Sequence, residues 1–329
     1  MSSTGAPTIK DVAREAGVSL GTVSKVINGK PVGEDYRRRV EEAIERLGYQ
    51  VNTYARSLKT NKTNCVALLM PSLQHPFYAI LTDEITACLM RRGYRSLLMI
   101  TNFDPKAEQK CFDLVQQNKA DGVIALTYAA DLEVDASIPI VTIDRHLGPS
   151  VPCISSDNYA GGQLAAEKLL SLGCRKLLFV RVGPDVHGEP DKRGAGFESL
   201  CRDSGTEYAM LSLRDEEAPE AFCRYLDAHI QNSKLEFDGI FCNTDGLAVQ
   251  VLDHLRARGI HAPEDVQVIG YDGMVHYASR RPFCSTIVQP IADMAESAVD
   301  ILLNPPEDAP RPTNLCLPIR YLPGGTTKD

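Results

Sequence analysis

The chain has no apolar run approaching the ~20 residues that a membrane span requires. Its first residues, MSSTGAPTIK, lack the apolar core of an export leader, so the expectation is a protein of the cytoplasm. No CxxC pair occurs among its ten cysteines, which removes the usual zinc spacing and argues against a redox motif. The cysteines lie mostly inside apolar runs, such as Cys65 in CVALLM and Cys242 in GIFC. They read as small buried hydrophobes in a reducing compartment. The phosphate loop GxxxxGKS or GxxxxGKT is missing, as are HExxH and GxSxG, so a nucleotide-dependent enzyme has no signature to rest on. RGAG at 193–196 is only a weak mimic of a phosphate turn. There is no low-complexity segment and no repeat of 20–50 residues. No metal site and no cofactor are expected.

What is present is organised in two parts. A length of 329 residues suits two or three domains. Residues 1–62 carry 11 Lys and Arg against 7 Asp and Glu, a net of +4, while the remainder carries 24 against 36, a net of −12, making the total of −8. A small basic head on a large acidic body points to a head that meets a polyanion.

The head reads as three helices. Thr8-Ile9-Lys10-Asp11 has the shape of a capping box, and Ile9, Val12, Ala13 and Ala16 recur at helical spacing until Gly17. Ser19 can cap a second helix with Val23, Val26 and Ile27 inward, ended by Asn28-Gly29. A third runs from about 34 to 47 with Val40, Ala43, Ile44 and Leu47 as its stripe. Two short helices joined through a glycine turn and packed on a third form a helix-turn-helix. In that motif the second helix enters the major groove and its first residues reach base edges. The outward positions are Leu20, Gly21, Thr22, Ser24 and Lys25. Lys25 can donate to guanine or phosphate, and Leu20 can touch a thymine methyl. Thr8, Ser19 and Asn28 sit at helix ends, where hydroxyls, amides and backbone N–H groups can meet phosphates. Without the basic surplus, a purely structural three-helix cap would be as good a reading.

From residue 64 onward, apolar runs of strand length alternate with amphipathic helical runs. The candidate strands are CVALLM (65–70), SLLMI (96–100), GVIAL (122–126), IPIVTI (138–143), KLLFVRV (176–182), FDGIFC (237–242) and VQVIGY (266–271). Candidate helices lie at 77–92, 105–118, 159–172, 190–203, 218–231, 245–258 and 290–303. Near-continuous apolar strands between helices imply parallel sheets covered on both faces. The strands are too many for one sheet, so two α/β lobes are expected. Ligands in such sheets sit beyond the carboxyl ends of strands. Asp144, Arg145, Asp157, Asp245 and Asp272 follow strands, and Arg193 opens a helix after one. Taken singly, each could as well be a loop salt bridge or a helix cap. The segment 51–64, VNTYARSLKTNKTN, reads on its own as a solvated linker.

TIKDVAREAGVSLGTVSKVINGKPV (8–32), followed by ERLGYQVNTYARSLKT (45–60), resembles the headpiece of the LacI/GalR (lactose/galactose repressor) family. QHPFY (74–78), IDR (143–145), SDN (156–158), RGAGF (193–197), CNTDGLA (242–248), VIGYDG (268–273) and TIVQP (286–290) extend the resemblance, in order, over the whole chain. It implies an all-α helix-turn-helix headpiece at 1–50, a hinge at 51–63, and at 64–329 a two-lobed periplasmic-binding-protein-like core of two doubly wound parallel sheets. One lobe would span about 64–158 plus 290–320 and the other about 159–289. It implies base reading by Leu20, Gly21 and Lys25. It also implies a hinge helix at 52–58, with Asn52, Ala55, Arg56 and Leu58 at the minor groove and Leu58 as a wedge. A lone segment that short cannot hold a helix in water, so its folding would be coupled to DNA.

Arg193 and Asp272 become the first candidates for effector binding, joined by Asp144, Asp157 and Asp245. Phe77 and Tyr78 could stack on a ring face, beside His75 and Gln289. The implied function is a repressor, not an enzyme, that binds a palindromic operator as a homodimer, since one helix-turn-helix reads weakly and two read a palindrome; with no heptad tail, a tetramer is not expected. A small effector, a sugar first, would release it. A nucleobase, a sugar phosphate or a partner phosphoprotein remain alternatives, though the dense acids disfavour a strongly anionic ligand. Three places depart from the family pattern: Val51 stands where proline is usual, Gly33-Glu34-Asp35-Tyr36 opens the third helix, and Gly324-Gly325-Thr326-Thr327 replaces Arg-x-Ser-Thr.

Overall fold

The computed structural model describes residues 7–49, 63–118, 120–129, 132–133, 137–184, 188–274, 283–304 and 314–328. The chain forms two compact units, Met1–Thr63 and Asn64–Asp329. The hinge expected at 52–58, with Asn52, Ala55, Arg56 and Leu58, lies outside the described residues. No helix among the described residues is long and apolar enough to cross a membrane.

In the first unit the described residues form α1 (Ile9–Ala16), α2 (Leu20–Ile27) and α3 (Glu34–Leu47). The capping box is in place: the Asp11 carboxylate accepts the Thr8 hydroxyl at 2.6 Å and the Thr8 backbone N–H at 2.9 Å. These two bonds hold the Asp11 pKa below its ordinary value. Gly17 turns the chain at φ 59, and Arg39 of α3 donates to the carbonyl oxygens of Ala16 (2.6 Å) and Gly17 (3.1 Å). The third helix thereby clamps the turn between the other two. Ser19 caps α2, its hydroxyl accepting the Thr22 N–H at 3.1 Å. The core is small, made of Val12, Ala13, Ala16, Val23, Val26, Val40 and Ala43, with Ile27 only half-buried against it.

The second unit holds two six-stranded sheets among its described residues. The first contains β1 (Cys65–Met70), β2 (Arg95–Ile100), β3 (Gly122–Ala125), β4 (Ile140–Ile143) and β5 (Cys153–Ser156). The helices α4 (Pro76–Arg91) and α5 (Pro105–Asn118) connect the first three of these strands. After β5 come α6 (Asn158–Ser171), β6 (Lys176–Val182), α7 (Lys192–Asp203), β7 (Glu207–Leu213) and α8 (Glu220–Ala228). A two-stranded ribbon, β8 (Ile230–Gln231) and β9 (Lys234–Leu235), leads to β10 (Gly239–Cys242), α9 (Asp245–Arg256), β11 (Gln267–Asp272) and β12 (Ser285–Val288). The last elements are α10 (Ile291–Leu303), β13 (Leu315–Leu317) and β14 (Arg320–Leu322).

The sheet orders are β13-β5-β4-β3-β1-β2 and β14-β12-β11-β10-β6-β7, the same doubly wound pattern twice. The first sheet is parallel throughout. The second is parallel except at its edge, where β14 pairs antiparallel with β12. β13 runs parallel in the first sheet and β14 antiparallel in the second, so one closing segment supplies an edge strand to each sheet. Six of the ten cysteines are buried, three are half-buried, and Cys316 is exposed.

Two helices meet with almost no side chain between them. A Cβ at Gly162 of α6 would collide with the backbone oxygen of Arg193 in α7, and one at Gly196 with the backbone oxygen of Tyr159. The position of Arg193 therefore depends on glycine at 162. Gly162→Ala should push the helices apart and cost about 1–3 kcal/mol, as overpacking does. Denaturant unfolding with an unchanged midpoint would refute this close approach.

Candidate functional site

In an open α/β sheet the crevice for ligands opens where the strand order reverses. Here that is between β1 and β3 in one sheet and between β6 and β10 in the other. Residues leaving those strands, among them His75, Tyr128, Arg181 and Asn243, line one cavity of about 400 Å³.

The charged pole of the cavity is built on Arg193. Its guanidinium is buried, and Nε donates to Asn158 Oδ1 at 2.7 Å while Nη1 donates to the Asn243 carbonyl at 2.7 Å. The same group stacks 3.7 Å above the Tyr271 ring and stands 3.8 Å from Asp272 Oδ1. Asp272 Oδ1 also accepts from Gln289 Nε2 at 2.8 Å, and Gln289 Oε1 accepts from the Ser156 hydroxyl at 2.8 Å. Asp272 is thus bonded into the two crossovers between lobes, at the ends of β5 and β12. Its other oxygen, Oδ2, faces His75 Nε2 at 3.9 Å and has no hydrogen-bond partner.

Asp144, at the end of β4, repeats the pattern: it is buried, and Oδ1 has no partner. Both acids hold positive backbone φ, 56° for Asp144 and 114° for Asp272, a conformation rare outside glycine. Unsatisfied buried carboxylate oxygens on strained backbone mark a place arranged for a hydrogen-bond donor. Burial raises the Asp144 pKa to about 6. Burial also raises Asp272, against the pull of Arg193.

Seven of the nine effector candidates line the cavity: His75, Phe77, Tyr78, Asp144, Arg193, Asp272 and Gln289. Asp157 and Asp245 do not. Asp157 caps α6, accepting the Ala160 N–H at 3.0 Å. Asp245 is buried behind Asp272 and accepts the Met274 N–H at 2.7 Å; burial and the Asp272 charge push its pKa to about 7. Phe77 is packed into the lobe core. The aromatic lining of the cavity includes two residues that sequence reasoning missed, the exposed Phe103 and the buried Tyr128. Both follow strands, β2 and β3, so the rule that selected Asp144 could have found them. Arg181, near the end of β6, and Asn243, just after β10, also line the cavity.

On the first unit, Leu20, Gly21 and Lys25 are all exposed, with Thr22 and Ser24 half-exposed beside them. A Cβ at Gly21 would meet nothing nearer than the Ser19 hydroxyl at 3.6 Å, so packing does not require glycine there. The Asn28 amide donates to the Ser24 carbonyl at 2.7 Å, closing the helix end.

Residues 8–52 match the model for bacterial regulatory proteins of the lacI family, and residues 63–302 match that for periplasmic binding proteins and the sugar binding domain of the LacI family. The chain belongs to the LacI family. It is a regulator, not an enzyme. It is 31% identical to the sucrose operon repressor of Streptococcus mutans, over 96% of this chain and 98% of that one. It is 32% identical to the ribose operon repressor of Bacillus subtilis, over 98% of each. The lac repressor dimer bound to operator and the anti-inducer ONPF has the same fold, with a TM-score of 0.85 at 21% identity over 98% of this chain and 99% of that one.

The raised acids fix a pH response. Asp144 and Asp245 have folded pKa values of about 6 and about 7, above the unfolded value near 3.9. Their contribution to stability is full below the unfolded pKa and is lost as pH rises through the folded one. The ligand-free protein should therefore lose thermal stability between about pH 4 and pH 7. Asp245→Asn should flatten that slope. A wild-type melting temperature that climbs across this window would contradict the assignment.

Proposed function

We propose that the chain is a cytoplasmic, homodimeric transcriptional repressor whose operator affinity is set by a sugar bound in the cleft. The observation that carries the effector class is the pair of unpartnered carboxylate oxygens, on Asp144 and Asp272, beside the guanidinium of Arg193. A sugar hydroxyl donates to the one and accepts from the other at once. Asp144, Asp191, Asp215 and Asp272 line the cavity against Arg145, Arg181 and Arg193. That balance disfavours a sugar phosphate or a phosphoprotein, which would want a surplus of cations. The sucrose and ribose operon repressors among the relatives point the same way.

The dimer is supported by a bare edge. β2 ends the first sheet with Leu97, Leu98 and Ile100 exposed, and Met90 of α4 is 68% exposed. A long apolar edge strand is a liability unless another surface covers it. A second copy related by a two-fold axis would do so and would present two reading helices to a palindrome. In each half-site Leu20, Gly21 and Lys25 would read bases, with Thr8, Ser19, Thr22, Ser24 and Asn28 at the phosphates. Asn52, Ala55, Arg56 and Leu58 would enter the minor groove between the half-sites.

Two substitutions separate the two jobs. Lys25→Ala should relax preference at one base pair per half-site, at about 1–3 kcal/mol, when binding sites are selected from random DNA. A uniform loss for all sequences would make Lys25 a phosphate contact instead. Asp272→Asn removes a charge-assisted hydrogen bond worth about 1.5–3 kcal/mol, roughly 10- to 150-fold in sugar affinity. Its operator affinity without sugar should match wild type, and release should need correspondingly more sugar. An unchanged response to sugar would remove Asp272 from the site.

A further inference from the structure

The aromatic side of the cleft is held in place by features that do nothing for the charged pole. Phe103 has a left-handed backbone, φ 60, directly after Asn102 at φ 52. Asparagine tolerates that conformation, whereas a bulky aromatic rarely adopts it. The turn sets the Phe103 ring edge-on to Tyr128, centroids 5.0 Å apart, and leaves Phe103 42% exposed at the cavity. Tyr128 is fixed from behind by a buried charge. The Glu108 carboxylate of α5 accepts the Tyr128 N–H at 2.9 Å, the Ala129 N–H at 3.1 Å and the Thr127 hydroxyl. A carboxylate 1% exposed needs such donors, and all of these lie on one loop.

The wall continues the pole outward. His75 stands 3.9 Å from Asp272, the His75 and Tyr78 rings are 5.2 Å apart, and the Tyr78 and Tyr128 hydroxyls meet at 2.8 Å. Phe103 ends the series. Four rings in succession reach further than one sugar ring, and the outermost face is apolar and open.

We propose that Phe103 and Tyr128 form a second sugar subsite and that the effector is a disaccharide. One ring places its hydroxyls at Asp272, Asp144 and Arg193. The C–H face of the other lies on the exposed ring of Phe103, which Tyr128 supports edge-on, with the Arg145 guanidinium, 4.6 Å over the Tyr128 ring, behind it. A strained turn and a buried carboxylate are then accounted for as the supports of that face. This rests on the sugar reading above.

Calorimetric titration of the full chain tests it, with sucrose, maltose, cellobiose, trehalose and lactose set against glucose, fructose, galactose and ribose. One disaccharide should bind about tenfold or more tighter than either of its component monosaccharides. Phe103→Ala should lower that affinity about fivefold or more and leave the monosaccharides within about twofold. Phe103→Tyr should keep the preference, which separates a lost ring face from a disturbed fold. A monosaccharide that binds as tightly as any disaccharide overturns the second subsite and leaves the sugar reading standing. A disaccharide preference untouched in Phe103→Ala overturns the assignment to this wall. If no sugar of either set binds, the subsite and the sugar reading fall together.

Discussion

A buried guanidinium must be satisfied on all sides, and the centre of the larger unit is arranged around that requirement. Arginine stays charged in any protein, so Arg193 at 4% exposure needs hydrogen-bond acceptors and a countercharge. Asn158 at the start of α6, the Asn243 carbonyl after β10, the Tyr271 ring and Asp272 at the end of β11 supply them. These partners come from α6, the end of β10 and β11, so one side chain of α7 fixes where four elements meet. The glycine contact between α6 and α7 is the corresponding backbone condition, since it brings the helix that carries Arg193 close enough. The named bonds use two of its five N–H donors, and Nη1 also stands 3.8 Å from Asp272.

The acids show the opposite balance. Asp144 and Asp272 sit on positive-φ backbone with an unpartnered oxygen each. Both features cost stability in the ligand-free protein. They are the kind of cost that a bound donor offsets, so the cleft is preorganised for a ligand and not for its own stability. Asp272 is bonded through Gln289 to Ser156, and these residues lie where the chain crosses between lobes. A hydroxyl held by Asp272 is therefore tied to the crossovers themselves.

The sequence carried most of the fold because strand burial here follows composition. CVALLM, GVIAL, KLLFVRV and VQVIGY are apolar, and the strands they form are almost wholly buried. The reading failed where that link breaks. SLLMI looks like a core strand but lies on an edge with three of its residues exposed, because nothing among the described residues covers them. CISS at β5 is short and half polar, yet fully buried at the crossover, so no periodicity marks it. EYAMLSL at β7 is a half-exposed edge strand whose mixed burial leaves no continuous apolar run. In the site, chemistry-bearing acids and Arg193 were legible from their places after strands. Asp157 and Asp245 obey the same rule but face elsewhere, one as a helix cap and one behind Asp272. Which side of a loop a residue takes is set by packing that no short pattern records.

The two units also divide the electrostatics. The head is small, its core seven valine and alanine side chains, and it relies on specific devices such as the Arg39 clamp and the Thr8–Asp11 box for definition. Exposed Leu20, Gly21 and Lys25 leave the reading face free of such duties. The body carries −12 over residues 63–329. A polyanion is repelled by that surface and drawn to the +4 head, so charge alone biases DNA toward the one face shaped to read it. Asp144, Asp191, Asp215 and Asp272 of that acidic surplus line the cleft. On the proposed sugar reading, recognition of a hydroxyl-rich ligand and avoidance of nucleic acid draw on the same side-chain type.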